Sequence, residues 1–274
     1  MESLKDLRKF GDSLPGKQGT MPVLFVGHGN PMNAIEDNEF SRGWRTVGKE
    51  LPAPRAILCI SAHWETSGTF VTAVEKPRTI HDFFGFPDEL FAVQYPASGS
   101  PALAQQTKEV VRKAAVELDT KWGLDHGCWS VVKHMYPNAD VPIIELSLDF
   151  TKPARWHYEL ANDLSILREK GILIIGSGNM VHNLRMVNWE DPGGAYDWAA
   201  EANERFKAFV AGDDHKSLIQ YDSLGRAASL SIPTPEHFLP MLYVLGLKKE
   251  NEGVRFFNDR LLMGSISMTS FEIA

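Results

Sequence analysis

The chain has 274 residues, 43% hydrophobic and 23% charged, with a formal net charge of -7 at pH 7. That size and balance describe a globular protein with a substantial core, and the acidic excess argues against a nucleic-acid binder that works by neutralising phosphates. Two cysteines cannot build a disulfide framework and fit a reducing cytoplasm, no apolar run is long enough to span a bilayer, and the N-terminus lacks the apolar core of a secretory signal.

Residues 1–20 read as a peripheral amphipathic segment with a Gly/Pro linker, and residues 21–274 as a single α/β domain. In chain order, "PVLFVGH" and "RAILCISAHW" read as strands, the second a continuous apolar run buried on both faces. "GTFVTAVE" alternates like a third strand. "SPALAQQTKEVVRKAAVEL" has helical spacing, with Ser100 as cap and Pro101 in the first turn. "VPIIELSL" is a strand, "KPARWHYELANDLSILREKG" a helix closed by Gly171, and "ILIIGSGNM" a strand. "DWAAEANERFKAFVAG" reads as a helix, and so does "TPEHFLPMLYVLGL", with Thr234 as cap and Pro235 in its first turn; "GSISMTSFEI" reads as a strand. "LKKENEGVR" reads as a solvated turn. The order predicts a three-layer α/β sandwich: a central mixed, largely parallel sheet flanked by helices.

The nine histidines are unevenly placed. His28, His63 and His182 each follow a predicted buried strand. Sites in open α/β sheets form beyond the carboxyl ends of strands, so three histidines meet at one edge. The glycines on both sides of His28 leave room for a ligand to approach. His126 sits in a Gly/Asp loop and His237 near a helix start, whereas His134, His157 and His215 read as surface or packing residues. Imidazoles gathered this way suit zinc or non-haem iron, and a spare one could move protons. Other chemistries fit worse. Ser177 lies between Gly176 and Gly178 but lacks the outer glycines of a nucleophile elbow. A zinc hydrolase, and a binding protein on the same scaffold, remain open alternatives.

The stretches "LFVGHGNPM", "ISAHWET", "TIHDFFGFP", "YPASGSPALA", "DHGCWSVVKHMYP", "GSGNMVHNLR" and "PTPEHFLPMLYVLG" together resemble the bacterial 4,5-DOPA extradiol dioxygenase-like proteins of the class III, LigB-type superfamily. The resemblance runs from Met21 to the C-terminus. It implies opening of a small catechol, such as DOPA or caffeic acid, by dioxygen at one divalent metal. By motif, His28, His63 and His237 are the implied metal ligands, with Glu236 as the carboxylate alternative to His237. His182 is the implied acid–base residue and a fourth ligand when substrate is absent. His126 is a second pocket histidine that contacts substrate or oxygen. Fe(II) is the metal expected for activity. A site of neutral ligands also accepts zinc, so Zn(II) is expected in purified protein and would leave it unable to activate oxygen. The ring-binding candidates are His81, Phe84 and Tyr95, with Trp64, Phe83, Phe86 and Trp129 nearby. Asp82, Asn30 and Asn179 are candidates for orienting the ligands. No nucleic-acid or membrane partner is expected; the oligomeric state stays open.

Overall fold

The computed structural model describes residues 19–274. The expected peripheral segment lies outside them except for Gly19 and Thr20. Six strands and six longer helices position the site among the described residues: β1 (Val23–Gly27), α1 (Glu39–Glu50), β2 (Ala56–Ser61), α2 (Pro101–Val110), α3 (His126–Met135), β3 (Ile143–Glu145), α4 (Ala154–Glu169), β4 (Ile172–Gly178), α5 (Asp197–Ala211), α6 (Leu239–Gly246), β5 (Val254–Phe257) and β6 (Ser270–Ile273). The sheet order is β3-β2-β4-β1-β6-β5. The first four strands run parallel, β6 is antiparallel to β1, and β5 is antiparallel to β6. The expected mixed, largely parallel sheet is therefore present.

Strand alternation sorts the core into two layers, one on each face. Val23, Phe25, Leu58, Ile60, Ile172 and Ile174 face one side and join Leu160 and Leu164 of α4, Phe206 of α5 and Leu242 of α6. Leu24, Val26, Ile57, Cys59, Leu173 and Ile175 face the other and join Trp44 and Val47 of α1 with Trp129 and Val132 of α3. Every residue of β1, β2 and β4 is buried, which explains their continuous apolar runs.

Several boundaries differ from the sequence expectation. The helix begun by Ser100 and Pro101 stops at Val110, because the Asp163 carboxylate accepts the backbone N–H groups of Arg112 and Lys113. The chain then forms a short strand, Val116–Asp119, parallel to Thr69–Thr72 and outside the central sheet. The segment opening with Thr234 becomes helical only at Leu239, since the His237 carbonyl accepts from Asn179 N at 2.8 Å and not from a helical N–H. His126 sits in the first turn of α3, not in a loop: the Asp125 side chain accepts from Cys128 N and caps the helix. Part of the expected solvated turn pairs as β5, and α1, with an Asn38–Ser41 capping box, was not anticipated.

Candidate active site

The carboxyl ends of β1, β2 and β4 lie side by side, with Gly27 paired to Gly178 and Ser61 to Ser177. His28 and His63 leave from the first two ends and His182 from the loop after the third. His237 is brought in by backbone contact: its carbonyl holds Asn179 N, and a Cβ on Gly178 would stand 2.1 Å from that carbonyl oxygen. Only glycine permits so close an approach. His126 arrives from the start of α3. All five imidazoles meet in one cluster. The ring centres of His28, His63 and His237 form a nearly equilateral triangle with sides of 5.0, 5.0 and 5.3 Å. His126 packs 3.9 Å from His63, and His182 stacks on His237 at 3.5 Å with the rings 11° apart. By the spacing of donor atoms, His126 groups with His28 and His63, and Glu236 groups with His182 and His237.

Four of the five rings have an oxygen behind Nδ1. The Ser177 hydroxyl donates to the Gly127 carbonyl at 2.6 Å, so its oxygen accepts from His28 Nδ1 at 3.0 Å. Asp82 Oδ2 lies 2.9 Å from His126 Nδ1 and 3.2 Å from His63 Nδ1, while Asp82 Oδ1 accepts from His126 N. Glu236 Oε1 lies 3.1 Å from His237 Nδ1. These hydrogen bonds assign the ring proton to Nδ1 in His28, His126 and His237, the Asp82 charge beside His63 Nδ1 favours the same proton there, and the Nε2 lone pairs turn inward. The Nε2 atoms of His28 and His63 stand 3.0 Å apart. Two lone pairs facing at that distance repel unless a cation lies between them. The donor set therefore fits a metal ion of the imidazole-binding class, zinc or iron among them.

Electrostatics agree with neutral ligands. Burial, then the neighbouring histidines, push His28 and His237 well below the ordinary imidazole value. Burial does the same to His63, aided by His126 and opposed by Asp82. Burial and His126 bring His182 down to about 4. Burial raises Asp82, but the hydrogen bonds and charge of His126 and the charge of His63 outweigh it, holding the carboxyl at about 2 and ionised.

A cavity of about 410 Å³ opens over the cluster. Its floor is histidine and its walls include Phe83, Phe84 and Phe86 of the expected loop. Two of the expected ring-binding residues are not in its lining. Tyr95 is buried in the core and its hydroxyl donates to the Tyr136 carbonyl. The His81 ring turns to the Val93 carbonyl and packs on Trp129 and Phe83. Trp64 stacks on Trp122, and Trp129 donates to the Ile80 carbonyl; neither lines the cavity. Of the three orienting candidates, Asp82 acts on two histidines. Asn30 instead accepts from Met32 N, and Asn179 donates to the Ser267 carbonyl. The glycines around His28 also serve another end. The space beside them is filled by Met268, whose backbone and sulfur would meet a Cβ on Gly27 and Gly29. Ser177, held by the Gly127 carbonyl, was not anticipated as the partner of His28. The two meet through the register of β1 on β4, the strands that end in "GHG" and "GSG".

Comparison with known proteins follows the same line. The family described as the catalytic LigB subunit of aromatic ring-opening dioxygenase matches residues 21–267. A 4,5-DOPA dioxygenase extradiol from Escherichia coli (strain K12) is 49% identical over 258 residues, covering 92% of this chain and 94% of its own. One of the same name from Beta vulgaris is 34% identical over 258 residues, covering 91% and 95%. The crystal structure of an uncharacterized Escherichia coli K12 protein superposes with a TM-score of 0.81 at 44% identity, covering 93% of this chain and all of that one.

Proposed function

The chain belongs to the LigB family of aromatic ring-opening dioxygenases and is an extradiol ring-cleavage enzyme; from that premise we propose that it opens small catechols with dioxygen at an Fe(II) ion held by His28, His63 and His237. The observation that carries the ligand trio is the triangle of rings, with sides of 5.0–5.3 Å, whose Nδ1 atoms face outward onto Ser177, Asp82 and Glu236. Glu236 supports the set as the carboxylate that orients His237. DOPA enters as a candidate because the Escherichia coli and Beta vulgaris relatives carry its name.

When bound, iron supplies Lewis acidity toward the catechol oxygens and the redox chemistry that dioxygen requires, which zinc lacks. The remaining work falls to side chains. His182, held neutral by burial, takes a catechol hydroxyl proton on its free ring nitrogen and returns it as the ring opens. His126, fixed through Nδ1 by Asp82, presents Nε2 to substrate or oxygen. Phe83 and Phe86 exclude water from the ring face.

Metal content and single-substrate kinetics of four variants test the assignment. His28→Ala and His237→Ala lose stoichiometric metal. His126→Ala keeps it. His182→Ala keeps it and loses about 10²–10⁴-fold in rate. Metal retained in His237→Ala but lost in His126→Ala would replace the trio with His28, His63 and His126.

A further inference from the structure

The cavity is chemically divided. Its polar groups are the five histidines and Asp82, which form the floor, and Asn30; both Asp82 oxygens are already engaged by His63 and His126, and the Asn30 Oδ1 accepts from Met32 N. The mouth is built from Phe84, Leu184, Val187, Trp189 and Met263, while Ile266 of the lining is buried and bridges to His182. Three of these are large apolar side chains left open to solvent: Phe84 is 91% exposed, Trp189 73% and Leu184 64%. They come from two segments, residues 81–87 and 184–189, on the two flanks of the opening. Lone exposed apolar residues need no explanation, but a cluster of them around a cavity marks a binding surface. The lining contains no lysine or arginine among the described residues.

A catechol seated with its two oxygens on the histidine floor points its ring substituent outward between these flanks. We propose that the mouth selects catechols carrying an uncharged apolar substituent, alkyl or aryl, in preference to the zwitterionic amino-acid side chain of DOPA. This rests on the proposed placement of the diol at the histidines. An apolar substituent removes its own surface and that of Trp189, Phe84 and Leu184 from water. Each buried methylene then tightens binding about fourfold. An ammonium–carboxylate pair gains nothing from these walls and loses part of its hydration against them.

The test uses calorimetric binding to the zinc-loaded full chain, where no turnover intervenes. The ligands are catechol, 4-methyl-, 4-ethyl- and 4-propylcatechol, and DOPA. The expected result is an affinity that climbs about fourfold per methylene, with DOPA at least tenfold weaker than 4-propylcatechol. Trp189→Ala cuts the gain per methylene to less than twofold. A flat series with catechol itself bound, or DOPA binding as tightly as 4-propylcatechol, overturns the selection while leaving the diol site intact. Failure of catechol to bind overturns the placement at the histidines and the selection with it. A slope that persists unchanged in both Trp189→Ala and Phe84→Ala also overturns it, because the apolar gain then arises elsewhere.

Discussion

Ser177 shows how one hydroxyl can set a ligand. It donates to the Gly127 carbonyl, so it can only accept from His28, and that fixes which nitrogen of His28 is free. Partners of this kind typically carry 10–100-fold in metal affinity. Ser177→Ala should therefore raise the metal dissociation constant by about that factor in a chelator competition; an unchanged constant would show that His28 needs no such support. Asp82 does the parallel service for two rings at once, with one carboxylate oxygen bridging His63 and His126. Its role was partly legible, because a carboxylate inside "TIHDFFGFP" is a natural orienter. The role of Ser177 was not, because the serine lies 149 residues from its histidine and only the sheet register joins them.

At the scale of elements, the strands were legible because β1, β2 and β4 are buried along their whole length, so apolar runs mark them without periodicity. Helix ends were less so. The termination at Val110 depends on Asp163 and the late start at Leu239 on Asn179, both distant in sequence. Tyr95 illustrates the same limit: an aromatic beside a motif packs wherever its hydroxyl finds a carbonyl, here Tyr136. One long-range tie holds the elements themselves. Arg168, at the end of α4 and fully buried, donates to the carbonyls of Met21 and Leu247 and pairs with Glu252. It clamps the start of β1 and the segment after α6 to the end of α4. Arg168→Ala leaves Glu252 and two carbonyls without that partner and should cost about 3–5 kcal/mol in denaturant unfolding; a loss below 1 kcal/mol would contradict the clamp.

For the whole molecule, the buried histidines couple folding to pH. His28, His63, His182 and His237 titrate below their ordinary value when folded, and so does core His157, brought to about 4 by burial. The unfolded chain therefore binds more protons between the folded values and about 6.5, and stability is full above that window and lost as pH falls through it. Metal-free protein should lose melting temperature steadily from pH 7 toward pH 4, with His157 alone contributing on the order of 3 kcal/mol. A melting temperature flat over that range would mean these rings are charged in the fold. Among the described residues no helix is long and apolar enough to cross a membrane. The measurement that bears most directly on the central claim is oxygen uptake by protein reconstituted anaerobically with Fe(II), then given catechol and air, with the zinc-loaded protein alongside. One equivalent of oxygen consumed per ring opened, with iron alone, is the predicted result. No uptake from protein with verified bound iron, or equal uptake with zinc, would contradict it.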